Sequence, residues 1–437
     1  MLNERFFSGR RKALFELLKD NSAAIVFAAR EQTRSNDTEY HFRQNSYFHY
    51  LTGFNEPDAV LLLIKKQGET QTVLFNRDKD ELMEIWHGRR LGQAAALKAF
   101  EIDSALSNLS LIEELPALIN GCEHLYSLLG ADAANDKVVA DVTSTLRHGT
   151  RQNLQPLKTQ HDLHLLLDDM RLFKQNDEVE VMRRAAKISC DAHTRAMQQA
   201  KAGMYEYQLE GEILHEFTRQ GARFAAYNTI VGSGENACIL HYTENESPLK
   251  DGDLVLIDAG CELQGYAADI TRTFPVNGMF SPEQKAIYNL VLKAQLAAIN
   301  LIKPSGTIKE ANEKVVNILV EGLLELGVLS GELAHLIEQD AHKVFYMHGL
   351  SHWLGLDVHD VGDYQSSQRT RVLEPGMVLT IEPGLYIAPD SEVDEKWRGI
   401  GVRIEDDLLV TVDGNEVLTK HVVKAVDDIE ALMATTQ

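Results

Sequence analysis

The stretch GDLVLIDAGCELQGYAADITRTFPV, residues 252–276, decides how the C-terminal half of this chain is read. The apolar run Leu254–Ile257 ends on Asp258, and a second run, Tyr266–Phe274, carries Asp269. Two extended segments this close in sequence predict an antiparallel hairpin. A turn at Leu263–Gln264 sets Asp258 directly opposite Asp269, with Cβ atoms roughly 4.5–5.5 Å apart. Like charges facing each other in a sheet are destabilising unless something positive lies between them. The pair therefore predicts a bound cation.

Three more residues extend the pattern. Glu382 follows the apolar run Met377–Ile381 and is closed off by Pro383–Gly384. In GVRIEDDLLV, residues 401–410, strand alternation sends Val402 and Ile404 one way and Arg403 and Glu405 the other. Between them MHGLSHWLGLDVHD, residues 347–360, holds His348, His352 and His359 among glycines. The His348/His352 spacing is that of a zinc-protease helix, but the intervening Gly-Leu-Ser lacks the catalytic Glu. Any one of these residues alone reads as a cap, turn or surface group. Asp258, Asp269, His352, Glu382 and Glu405 together read as a metal centre. A donor set so rich in oxygen favours manganese or magnesium. Two dications neutralise four carboxylates, and a water shared by ions about 3.5–4 Å apart is the expected nucleophile.

A chain of 437 residues exceeds what one core usually serves, so two domains are expected. The formal charge of −22 argues against nucleic acid and anionic membranes as partners. No apolar run approaches the roughly 20 residues a membrane helix needs, and the N-terminus lacks the apolar segment of a signal peptide. Cys122, Cys190, Cys238 and Cys261 stand far apart, which fits a reducing cytoplasm and no disulfide framework. Cys261 reads as a small buried filler.

Residues 1–172 alternate strand candidates (24–28, 59–64, 72–75, 124–128) with helix candidates (4–19, 79–86, 109–120, 136–147), the pattern of an α/β domain. Around 151–178 the pattern breaks up, and Asn176 is the expected N-cap of a long helix ended by Gly203. Residues 173–437 group helices around antiparallel strand pairs, an α+β domain. VGSGEN at 231–236 lacks the third glycine of a dinucleotide fingerprint and is read as a bulged strand lining the site.

The chain resembles the bacterial aminopeptidase P family, the Xaa-Pro aminopeptidases of the pita-bread metallopeptidase group. The resemblance rests on the segments above with EPGMVLTIEPGLYI (374–387), and on RSNDTEYHFRQNSYFHYLTGFNEPDAV (34–60) and EIWHGRRLGQ (84–93) in the N-terminal half. It implies an N-terminal α/β domain of aminopeptidase P type and a pita-bread catalytic domain. By resemblance Asp258 chelates one ion, His352 and Glu382 the other, and Asp269 and Glu405 bridge both, with Glu382 also the general base. His241 and His359 are the expected substrate-facing histidines, and His348 lines the proline pocket. Arg403 and Tyr386 orient Asp258 and the substrate. Asp37 and Arg151 are expected to help close the cleft. Trp86 is read as a core aromatic or an anchor reaching a neighbouring subunit. The implied enzyme releases the N-terminal residue from peptides with proline second, uses two Mn2+ ions, and assembles as a homo-oligomer, a tetramer in similar enzymes. Two rivals stand beside it. One is a prolidase restricted to Xaa-Pro dipeptides, with Arg369 or Arg403 capturing the carboxylate; the other is a non-catalytic pita-bread binding protein.

Overall fold

A computed structural model describes residues 2–366 and 369–435. Contacts divide the chain into Met1–Arg171 and Leu172–Gln437.

The N-terminal unit is built on a six-stranded mixed sheet, in the order Ser104–Ser107, Glu69–Asn76, Val60–Lys66, Ser22–Phe27, His124–Ser127, Thr159–Asp162. The middle pairings are antiparallel and the outer ones parallel. Ile25, Leu62 and Phe75 pack with Leu115, Val142 and Leu146 of the helices Leu111–Ile119 and Ala133–His148 into one apolar core. The strands Ser22–Phe27, Val60–Lys66, Glu69–Asn76 and His124–Ser127 are the four expected from sequence. The edge strand Thr159–Asp162, all polar, gave no such signal, and the short helices Ser46–Thr52 and Gln93–Ala99 are too brief to show a period.

In the C-terminal unit the long helix begins at Asn176, and its N-terminus is closed by Glu178, which accepts from the Gln175 N–H at 2.8 Å. The cap is thus one residue earlier than expected, because Glu178 reaches back to Gln175. With Glu206–Arg219, Pro282–Ile299 and Ile308–Glu325 it accompanies a set of small antiparallel sheets. Three of these position the site: Ile230–Ser233/Leu254–Asp258/Thr271–Pro275, Val378–Ile381/Asp406–Val410/Asn415–Val417, and Gly384–Ile387/Ile400–Arg403. VGSGEN is a regular strand through Ser233, followed by the 3-10 turn Gly234–Cys238.

The hairpin exists, in a different register. Asp258 pairs with Thr271, and Leu263 with Tyr266. Gln264 and Gly265 form the two-residue turn with φ of 52° and 85°. Positive φ at both positions defines the turn whose twist suits a hairpin, and glycine takes the second without strain. The turn therefore lies one residue later than expected. The run Tyr266–Phe274 is also broken, into Tyr266–Ala267 and Thr271–Pro275, leaving Asp269 between two strands.

Candidate metal centre

Asp258 closes one strand and Asp269 sits in the gap of the other, two places from the facing position. A shift of two keeps the same face, so both carboxylates still converge. Tyr227 marks the convergence: its hydroxyl lies 2.6 Å from Asp258 Oδ1 and 2.5 Å from Asp269 Oδ1. The backbones touch here as well. A Cβ on Gly260 would stand 1.6 Å from the Ala268 carbonyl oxygen, so only glycine allows this approach.

His352 and Glu382 are brought together by pairing of Leu350–Trp353 along Leu379–Glu382. Thr380 N–H donates to the His352 carbonyl at 3.0 Å and Glu382 N–H to the Leu350 carbonyl at 2.9 Å. His352 Nδ1 lies 3.0 Å from the Trp353 carbonyl, which holds the proton on that nitrogen and turns Nε2 toward the carboxylates. Nε2 is 3.4 Å from both Asp269 Oδ2 and Glu382 Oε1. Glu405 arrives from the other sheet, its Oε2 accepting from the Thr271 hydroxyl at 2.7 Å. Asp269, His352 and Glu405 each offer a ligand atom within 4.8 Å of the others.

These five residues line one cavity of about 620 Å³ together with His241, His348, His359 and Arg403. The His359 ring stacks on His352 with centroids 4.0 Å apart. Arg403 donates to Asp258 Oδ2 at 2.7 Å, to Thr271 Oγ1 at 3.0 Å and to the Tyr386 hydroxyl at 2.9 Å. That hydroxyl is 2.8 Å from His348 Nε2, so a chain of contacts runs from His348 to Asp258.

Burial pushes Glu382 up to about 7, against the charges of His352 and Arg403. Burial raises Glu405 well above the carboxylate range, and the charges of Asp269 and Glu382 add to it. Asp269 is raised by burial and then by Asp258. Asp258 alone among the four is lowered: burial opposes this, but the Arg403 charge and the hydrogen bonds from Tyr227 and Arg403 together outweigh it. His352 rises to about 9, its burial overcome by the hydrogen bond and charge of Asp269. His348 falls to about 4 through burial and the charge of Arg403, and stays neutral. Burial likewise lowers His359.

This arrangement fits divalent cations. The phenol of Tyr227 has one proton and two carboxylates within reach, so one of the pair is crowded without a proton of its own. Four carboxylates, Asp269 and Glu405 buried and Asp258 and Glu382 half-buried, share a single arginine among the described residues. An added hard cation relieves both conditions.

The remaining expected site residues are placed within their own units. Asp37 (φ 57°) sits in the turn between Thr33–Ser35 and Thr38–Glu39, and Arg151 is exposed in the 3-10 turn Gly149–Gln152. Trp86, 76% exposed on the helix Glu81–His87, is not a core aromatic. All three belong to the N-terminal unit. The side chain of Arg369 lies outside the described residues. Cys261 is buried, as a filler should be, and burial pushes its thiol up to about 12.

Sequence reading missed Tyr227 and Thr271. Tyr227 opens the run YNTIV, and its position just ahead of a strand antiparallel to the one bearing Asp258 was the available signal. Thr271 is the residue that faces Asp258 in the true register.

Residues 180–412 match metallopeptidase family M24, and residues 7–126 match the N-terminal domain of aminopeptidase P. The chain is 55% identical to the Xaa-Pro aminopeptidase of Escherichia coli (strain K12), across 100% of this chain and 99% of that protein. It is 33% identical to the human Xaa-Pro dipeptidase, across 98% and 93%. The solved structure of proline aminopeptidase P II from Yersinia pestis superposes with a TM-score of 0.97 at 58% identity, covering 99% of this chain and 100% of that one.

Proposed function

We propose, from the premise that the chain belongs to metallopeptidase family M24, that it releases the N-terminal residue from peptides with proline in second place. The observation that carries this is one cavity holding four under-compensated carboxylates beside four histidines. A peptide bond to proline has a tertiary amide nitrogen and a restrained φ, which general peptidases fit badly.

Two divalent ions, manganese by donor preference, would be held by Asp258 on one side and by His352 and Glu382 on the other, with Asp269 and Glu405 between. Ions held there would supply polarisation of the scissile carbonyl and a lowered pKa for bound water. Glu382, raised to about 7, is suited to take up a proton near neutral pH. His348, lowered to about 4, can hydrogen-bond a substrate without adding charge. In this reading His241 and His359 hold the scissile carbonyl, and His348 shapes the proline pocket through its tie to Tyr386. Arg369, Asp37, Arg151 and Trp86 are the remaining proposed substrate contacts.

The aminopeptidase reading stands ahead of the dipeptidase one because Arg403 is already committed to Asp258, Tyr386 and Thr271, leaving it poorly placed to capture a proline carboxylate. A second copy of the chain is the proposed partner, as a homotetramer. Leu82, Ile85 and Trp86 stand 64, 78 and 76% exposed on one helix face, which supports an interface. A cytoplasmic setting is proposed from the free cysteines and the acidic surface. No helix among the described residues is long and apolar enough to cross a membrane.

The test is hydrolysis of an Xaa-Pro dipeptide and an Xaa-Pro-Yaa panel by chelator-treated enzyme, with and without manganese. Cleavage of the longer peptides only when metal is restored is expected. Full turnover in metal-stripped enzyme ends the metal reading, and cleavage confined to the dipeptide makes it a prolidase.

A further inference from the structure

Glu206, the first residue of the helix Glu206–Arg219, has no exposed surface. Its Oε1 accepts from the Ser233 N–H and hydroxyl, both at 2.8 Å, and from Asn236 Nδ2 at 3.0 Å. Its Oε2 accepts from the Tyr242 hydroxyl at 2.8 Å and the Ser247 N–H at 2.9 Å. Five donors saturate the four or so lone-pair sites of a carboxylate. No lysine or arginine among the described residues pairs with it. A carboxylate buried with neutral donors alone is costly unless every bond is made, so it holds its partners in one geometry.

Those partners bracket the segment that carries His241. Ser233 ends the strand whose Ile230 faces Asp258, and Tyr242 directly follows His241. Asn245 fastens the far side: its Oδ1 accepts from the Val231 N–H at 3.0 Å and its Nδ2 donates to the Thr229 carbonyl at 2.9 Å. The 3-10 turn inside the bracket lies against the strand of Arg403, where a Cβ on Gly401 would come 2.3 Å from the Ala237 carbonyl oxygen. His241 is exposed and has no hydrogen-bond partner among the described residues, so the chain on either side of it fixes its place in the cavity.

We propose that Glu206 is a positioning residue for the reaction, acting through His241 by clamping both ends of its loop. The proposal rests on the reading of His241 as a substrate-facing group. Glu206→Gln puts an NH2 group where only acceptors are tolerated, so the clamp opens on one side. In the full-length, manganese-loaded enzyme kcat on an Xaa-Pro tripeptide should fall roughly tenfold to a hundredfold, the scale of a misplaced contact, with metal content unchanged by elemental analysis. The double variant Glu206→Gln/His241→Ala should be no slower than His241→Ala alone. Undiminished kcat in Glu206→Gln, or losses that multiply in the double variant, would overturn the proposal. If Glu206→Gln does not fold, Tyr242→Phe and Ser233→Ala decide. Each removes one donor and should cost a few-fold in the wild-type background and nothing beside His241→Ala; any other pattern overturns it. Full kcat in His241→Ala alone would mean that the His241 reading has fallen, and the proposal with it.

Discussion

Glu405 and Asp406 are consecutive residues, 1% and 0% exposed, and their surroundings are opposite. Asp406 turns away from the cavity into a set of donors. Arg272 and the Thr419 hydroxyl each reach its Oδ1 at 2.7 Å, and Gln295 and Lys424 reach its Oδ2 at 2.7 and 2.5 Å. Burial alone would raise its pKa, but Arg272 and Lys424 outweigh burial and hold it well below the usual carboxylate range. Glu405 turns toward the cavity, where the Thr271 hydroxyl is its one side-chain hydrogen-bond donor among the described residues and three other carboxylates crowd it. Burial of acid is therefore not what identifies a metal site, since both are buried. The difference is that the chain supplies two cations to one carboxylate and withholds them from the other, leaving room for a cation from outside.

The contrast can be broken at either end. Glu382→Ala, on the cavity side, removes the residue proposed as both ligand and base, so kcat should drop on the order of ten-thousand-fold. Steady-state kinetics at saturating manganese measures this, and a loss under tenfold would remove Glu382 from the chemistry. On the ion-paired side, Arg272→Met leaves Asp406 buried with Lys424 as its single cation. That should cost roughly 3–5 kcal/mol of stability, seen as a lower urea midpoint whether or not metal is present. A midpoint unchanged from wild type would mean that the pairing does not hold this region together.

The third test sharpens the contrast through pH. In metal-free protein Glu382 titrates at about 7 against an ordinary 4.5. The folded state thus holds the proton more tightly, and the resulting stability is fully present below 4.5 and lost as pH rises through 7. Metal-free wild type should lose up to about 3 kcal/mol relative to metal-free Glu382→Gln across that window. Asp406 carries the opposite sign: its contribution is present above 3.8 and lost on acidification. Parallel pH curves for wild type and Glu382→Gln would show that Glu382 is not strained by its neighbours.

The convergence of the cavity carboxylates was legible in the sequence because they end or interrupt apolar runs, where a charge has no reason to be. The ion-paired side was not: Arg272 and Asp406 sit within strands 134 positions apart, and nothing local says that they meet. Glu206 was invisible for the same reason, since its five donors come from four residues 27 to 41 positions away. The hairpin was read correctly as a hairpin, but its turn was placed one residue early, since positive φ at Gln264 is a property of backbone rather than of composition. The wholly polar edge strand Thr159–Asp162 was lost because an edge strand need not bury side chains to be held by backbone hydrogen bonds.

Gly260 carries a consequence for how this chain can vary. Adding one methyl group is the smallest change a side chain can undergo, and here it would collide with the Ala268 carbonyl midway between Asp258 and Asp269. Relief requires the two backbones to separate, and the carboxylates they carry would separate with them. The spacing between the two carboxylates is thus gauged by the absence of a side chain, and no neighbouring sequence one substitution away at position 260 keeps it.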